Sequence, residues 1–109
     1  MTAYGNVYGY DAENLLFNIA AADTDVTIFV TSTGTETATA KYFAKDGPST
    51  GFVIRPDATV LIVRLGSKTF RTPITVSTAG FTWTKNLKAP GEIVIRSTSA
   101  DVDVELLVL

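Results

Sequence analysis

Residues 92–109 read Glu92-Ile93-Val94-Ile95-Arg96-Ser97-Thr98-Ser99-Ala100-Asp101-Val102-Asp103-Val104-Glu105-Leu106-Leu107-Val108-Leu109. Ile93 and Ile95 share one side of an extended strand, while Glu92, Val94 and Arg96 share the other. Beyond the polar Thr98-Ser99-Ala100-Asp101, the alternation resumes. Val102, Val104, Leu106 and Val108 form an apolar face, and Asp101, Asp103 and Glu105 a charged one. Period-2 alternation on both sides of a short polar loop predicts a β-hairpin. With Ser97 opposite Val102, Arg96 meets Asp103 and Ile95 meets Val104, so a charge pair and an apolar pair fall on opposite faces. Leu107-Val108-Leu109 carries no polar tail, so these residues are expected to be tied into a sheet or a subunit contact.

Working outward, the chain of 109 residues has the size of one small domain. Its apolar share of 46% is too high for a disordered segment. Cysteine and histidine are both absent. That excludes disulfides, thiolate or imidazole metal sites, Cys nucleophiles and a His general base. The net charge is −2, and Lys and Arg are scattered singly, which argues against a nucleic-acid groove. No apolar run approaches the ~20 residues of a membrane span, and no basic n-region of a signal peptide precedes one.

Taken in order, residues 1–12 hold Tyr4, Tyr8 and Tyr10 among glycines and read as an N-terminal arm able to dock on a neighbouring subunit. Residues 13–109 read as a single domain. Leu15, Phe17 and Ile19 alternate, favouring a strand over a helix for residues 14–22. Asp23-Thr24-Asp25 turns into the β-branched Val26-Thr27-Ile28-Phe29-Val30-Thr31. Thr37 to Phe43 is a weaker strand, placed at a sheet edge. Lys45-Asp46-Gly47-Pro48-Ser49-Thr50-Gly51 is the strongest loop signal. Phe52 to Arg55 is a short strand ended by Pro56-Asp57. Val60-Leu61-Ile62-Val63-Arg64-Leu65 is apolar on both sides and reads as covered on both. Gly66-Ser67 makes a two-residue hairpin turn into Lys68 to Arg71. Pro73 is expected to interrupt, so that Ile74 to Ser77 starts afresh in a new direction or sheet. Phe81-Thr82-Trp83-Thr84 turns two aromatics inward.

Eight or nine short strands with turn chemistry between them, and no connection long enough for a crossover helix, predict an all-β fold. The expected architecture is an antiparallel β-sandwich, jelly-roll or immunoglobulin-like, with a small β-barrel as the alternative.

The candidate sites are few. Asp101, Asp103 and Glu105 on one strand face invite comparison with a calcium site, but carboxylates on a twisted strand diverge, and a solvated face paired with Arg96 is the expectation. Arg64, Lys68 and Arg71 flank the Gly66-Ser67 turn and read as a solvated rim, or as a patch for an acidic neighbour. Gly66-Ser67-Lys68-Thr69 lacks the glycine spacing of a phosphate loop. Phe81 and Trp83 read as core. No catalytic residue, metal or cofactor is therefore expected. The interface candidates are Tyr4, Tyr8, Tyr10, Leu61, Val63, Leu107 and Leu109.

The residues from Phe52 to Asn86, followed by Gly91 to Leu109, resemble small virion structural proteins of tailed bacteriophages. Those are Thr/Ser/Val-rich, weakly charged chains ending in Ile-x-Ile-x-(Ser/Thr/Ala)-x-Val-x-Val-x-Leu. The resemblance covers about the last half of the chain and is compositional. It implies a β-sandwich that decorates or joins a capsid or tail, assembled in the host cytoplasm, acting by contact alone. The functional expectation is a self-associating structural domain whose partners are copies of itself and a capsid or tail protein. The alternative is a carbohydrate-binding sandwich using Tyr8, Tyr10, Tyr42 or Trp83 as sugar platforms.

Overall fold

The structure, a computed structural model, describes residues 2–4, 13–30, 34–43, 50–85 and 91–109. Ten strands and no helix occur among them, in two five-stranded sheets. The first sheet runs, in spatial order, Thr2–Tyr4 (β1), Glu13–Ile19 (β2), Val102–Val108 (β10), Phe52–Pro56 (β5) and Phe81–Trp83 (β8). The second runs Ala40–Phe43 (β4), Asp25–Val30 (β3), Gly91–Ser97 (β9), Val60–Leu65 (β6) and Lys68–Val76 (β7).

The pairing is nested about Gly66-Ser67. The tight turn joins β6 to β7, β5 then pairs with β8, β3 with β9 and β2 with β10, all antiparallel. The eight strands thus form one long two-stranded ribbon. The ribbon folds over itself so that β9 also lies against β6 and β10 against β5. This strand order is that of a jelly roll, not a closed barrel. β1 extends the first sheet beside β2, and β4 extends the second beside β3. The β3–β4 pair is parallel, an exception to the antiparallel expectation.

Four connections, at residues 20–24, 57–59, 77–80 and 98–101, cross between the sheets at one end of the sandwich, here the arch end. The β6–β7 turn marks the opposite, hairpin end. Backbone bonds lash the arches together: Asp23 N–H to Ser97 O at 2.8 Å, Asp101 N–H to Ala20 O at 3.2 Å and Asp57 N–H to Asp103 O at 2.9 Å. Asp23 and Asp101 sit at φ 55° and 58°, left-handed conformations that Asp tolerates in tight turns.

The expected hairpin of residues 92–109 is therefore corrected. β9 and β10 lie in different sheets, so Arg96 meets Asp25 and not Asp103, and Ile95 lies between Val26 and Ile62. Their apolar faces still point at the same core, because each is the inner face of its own sheet. Leu107-Val108-Leu109 is tied into a sheet as expected. It lies at the centre, between β2 and β5, and not at an open edge. The Leu109 N–H donates to Gly51 O and its carbonyl accepts from Thr50 N–H, both at 2.9 Å.

The core fills the space between the sheets. Phe17, Ile28, Phe52, Ile54, Ile62, Ile95, Val104 and Leu106 are fully buried. Each contributes about 1.5–3 kcal/mol through the area it removes from water. β6 is irregular. Against β9, Ile62 faces Ile95 and Arg64 faces Val94, so Val63 is an extra residue, a β-bulge. The bulge lets Val60, Ile62 and Leu65 all face inward, leaving Leu61, Val63 and Arg64 on the outside. The outer pair Leu61 and Val63 is half-buried, so the strand is not covered on both sides as its composition suggested. Against β7 the mismatch is larger. Residues 70–73 stand opposite Val63 alone. Pro73, which donates no backbone hydrogen bond, is absorbed there, on an edge strand, and β7 runs through it without changing sheet.

Candidate interaction surfaces

Because side chains alternate, each sheet has an outer face, and that is where contact chemistry is found. On the first sheet, β10 turns Asp103, Glu105, Leu107 and Leu109 outward. Glu105 lies between Leu16 and Arg55, and Leu107 lies beside Val53. The two large hydrophobic side chains exposed among the described residues, Leu16 at 40% and Leu109 at 41%, bracket half-buried Leu107 and Val53. The result is an apolar patch on the half of the face nearer the hairpin end.

Toward the arch end the same face turns polar. The Asn18 amide Nδ2 donates to Asp101 Oδ1 at 2.8 Å and Asp103 Oδ1 at 2.9 Å. Asp57 Oδ1 accepts the Asp103 backbone N–H at 3.0 Å, continuing the ladder just past Pro56, which has no N–H to offer. Asp101 and Asp103 are thus held by an amide, not by Arg96 as expected. No three acidic groups converge as cation ligands among the described residues.

On the second sheet, β9 presents Glu92, Val94 and Arg96 in a line. Arg64 Nη2 pairs with Glu92 Oε1 at 2.9 Å, and a second nitrogen of Arg64 donates to the Gly66 carbonyl. Arg96 Nε pairs with Asp25 Oδ1 at 2.7 Å. The hydrogen bond to Asp25, reinforced by its charge, raises the Arg96 guanidinium above its usual pKa. Between these pairs Val94 is only 5% exposed although it faces outward, with Leu61 and Val63 half-exposed nearby. Lys68 and Arg71, beyond the turn, are exposed.

Of the interface candidates, Leu107 and Leu109 therefore share the first sheet's outer face, and Leu61 and Val63 the second's. Tyr4 lies in β1, opposite Asn14. Tyr8 and Tyr10 lie outside the described residues. The sequence reading missed Leu16 and Val53, because only the β2–β10–β5 order brings them beside Leu107.

The rings of Tyr42, Phe81 and Trp83 are engaged within the protein. Tyr42 stacks on Phe29 with centroids 4.9 Å apart and planes 14° from parallel. A Cβ at Gly34 would overlap the Tyr42 ring, so backbone lies against that ring as well. Phe81 and Trp83 pack, half-buried, against the core, and the Trp83 indole N–H is buried without a hydrogen-bond partner among the described residues. Neither Tyr42 nor Trp83 offers the open ring face that a sugar platform requires.

Compared with protein-family models, with curated proteins and with solved structures, the chain matches none.

Proposed function

We propose that this chain is a structural, self-associating β-domain, a phage virion component in a capsid-decoration, head–tail or tail position. It acts by protein–protein contact, without catalysis, cofactor or metal. Its partners are copies of itself and a capsid or tail protein, and it is assembled in the host cytoplasm. The observation that carries the reading is the outward patch of Leu16, Val53, Leu107 and Leu109, which includes the two exposed large hydrophobics among the described residues. Apolar side chains grouped on an otherwise polar face mark contact surfaces. The fold supports the reading by analogy, since jelly rolls recur in viral capsid domains. The occupied rings of Tyr42 and Trp83 weigh against the sugar-binding alternative.

Sedimentation velocity at micromolar concentration tests self-association. The native chain is expected to sediment as an oligomer, and Leu16→Asp with Leu109→Asp as a monomer that melts normally, because both positions are exposed. A native chain that stays monomeric at millimolar concentration would overturn self-association. Mass spectrometry of purified particles tests the location: a chain absent from them is not a virion component.

A further inference from the structure

The outer face of the first sheet carries a row of residues whose two halves complement each other. Register sets the row: Leu16 of β2 stands opposite Glu105 of β10, and Glu105 opposite Arg55 of β5. Gly80, just before β8, completes it, since a Cβ there would come within 3.1 Å of Arg55 Cγ. In order, the row is a large apolar side chain, an acid, a base and a position with no side chain. Leu16, Glu105 and Arg55 are all exposed, and neither charge is in an ion pair among the described residues. In the next row toward the hairpin end, half-buried Leu107 stands opposite half-buried Val53.

A face that meets its own copy does so about a two-fold axis, and the direction of that axis decides which residues touch. An axis across the strands lays β10 on β10. Centred on the Glu105 row, it sets Glu105 on Glu105 and Arg55 on Arg55. Shifted toward the arch end, it sets Glu105 on Asp103, acid on acid. Shifted toward the hairpin end, it sets Glu105 on Leu107 or Leu109, and Arg55 on Val53 or Gly51. Both charges then leave water without a counter-charge, which is costly. An axis along the strands, between β10 and β5, instead lays the row on its own reverse. Glu105 meets Arg55 twice, Leu16 meets Gly80, and Leu107 meets Val53. Every charge in the row gains a counter-charge, and the exposed leucine a place with no side chain. The same axis sets Asp103 on Asp57 in the row toward the arch end, a repulsion that limits affinity and supplies a test.

We infer that two copies of this chain pack through the outer face of the first sheet, about a two-fold axis along the strands between β10 and β5, with Glu105 of each copy paired to Arg55 of the other. This rests on the self-association proposed above and names its face and its symmetry. The outer face of the second sheet stays open to a different protein.

Charge variants at exposed positions test it by sedimentation and native mass spectrometry: Arg55→Glu, Glu105→Arg, and both changes in one chain. Circular dichroism and urea unfolding establish that each folds, since a like-charged cross-strand pair is itself mildly destabilising. The native chain is expected to form dimers. Each single variant alone is expected to associate about tenfold or more weakly, because like charges then meet twice across the axis. An equimolar mixture of the two single variants is expected to recover the dimer as a mixed species, and the double variant to recover it alone. Asp103→Asn is expected to tighten association by removing the contact of acid with acid, while the Asn18 amide keeps its acceptor oxygen. Single variants that dimerise like the native chain would overturn the contact and leave self-association standing. So would single variants that stay monomeric when mixed, or a monomeric double variant, because their charges then meet some other surface. An Asp103→Asn chain that associates no better would overturn the axis along the strands. A native chain that never associates overturns both proposals.

Discussion

Ile95 and its neighbour Val94 offer the sharpest test of the two-sheet arrangement. Ile95 is fully buried on the inner face of β9, between Val26 and Ile62, whereas Val94 is 5% exposed on the outer face. By exposure alone the two are almost equal, so an account from burial fractions predicts similar costs. The inter-sheet position predicts otherwise. Truncating Ile95 to Ala removes three carbons at about 0.8 kcal/mol each and leaves a void closed on all sides, for a total of about 3–4 kcal/mol. Truncating Val94 removes two carbons from a face that water and the Thr27 and Arg64 side chains can refill, so about 1–1.5 kcal/mol is expected. Urea unfolding at one fixed protein concentration separates them, holding any contribution of assembly constant. With a slope of about 1.5 kcal/mol per M, the midpoint falls by roughly 2 M for Ile95→Ala and by less than about 1 M for Val94→Ala. Equal losses would refute the reasoning, by showing that a second layer covers the outer face as closely as the opposing sheet covers the inner.

A deletion and a substitution probe the backbone. Deleting Val63 removes the bulged residue and leaves Val60, Ile62 and Leu65 in regular alternation toward the core, so the variant should fold at a cost of no more than about 2 kcal/mol; a chain that cannot fold would mean that the bulge is needed for the twist of the sheet. Gly51→Ala should destabilise by more than about 3 kcal/mol in the same assay, because φ is 144° and a Cβ would overlap the Trp83 carbonyl; a near-neutral result would contradict the close approach of β5 and β8.

The sequence by itself determined most of the strands and which of their faces are apolar, though Thr2–Tyr4 was read as part of an arm and Lys68–Val76 as two pieces. Alternation at Val26, Ile28 and Val30 and at Val102, Val104, Leu106 and Val108, and the two-residue turn at Gly66-Ser67, all reappear in the structure, because side-chain period and turn chemistry are local properties. Leu107 and Leu109 were singled out because the last residues carry no polar tail, and the structure places both on the outer face of the first sheet. Only the tertiary structure decided which strand lies beside which. A four-residue polar link such as 98–101 suits a hairpin, but it also spans the ~10 Å between stacked sheets, and both outcomes bury the same side of β9 and β10. The pairing of Arg96 with Asp103 satisfied charge and register equally well on paper; in the protein Asp25 takes Arg96, and Asn18 takes Asp101 and Asp103. Leu16 and Val53 gave no signal, since each becomes part of a patch only when β10 is threaded between β2 and β5. The bulge at Val63 was equally silent, because an extra residue is defined only against a partner strand. Local chemistry sets the period of each strand, and the choice of neighbours belongs to the whole nested ribbon, where all four pairs must close at once around one turn.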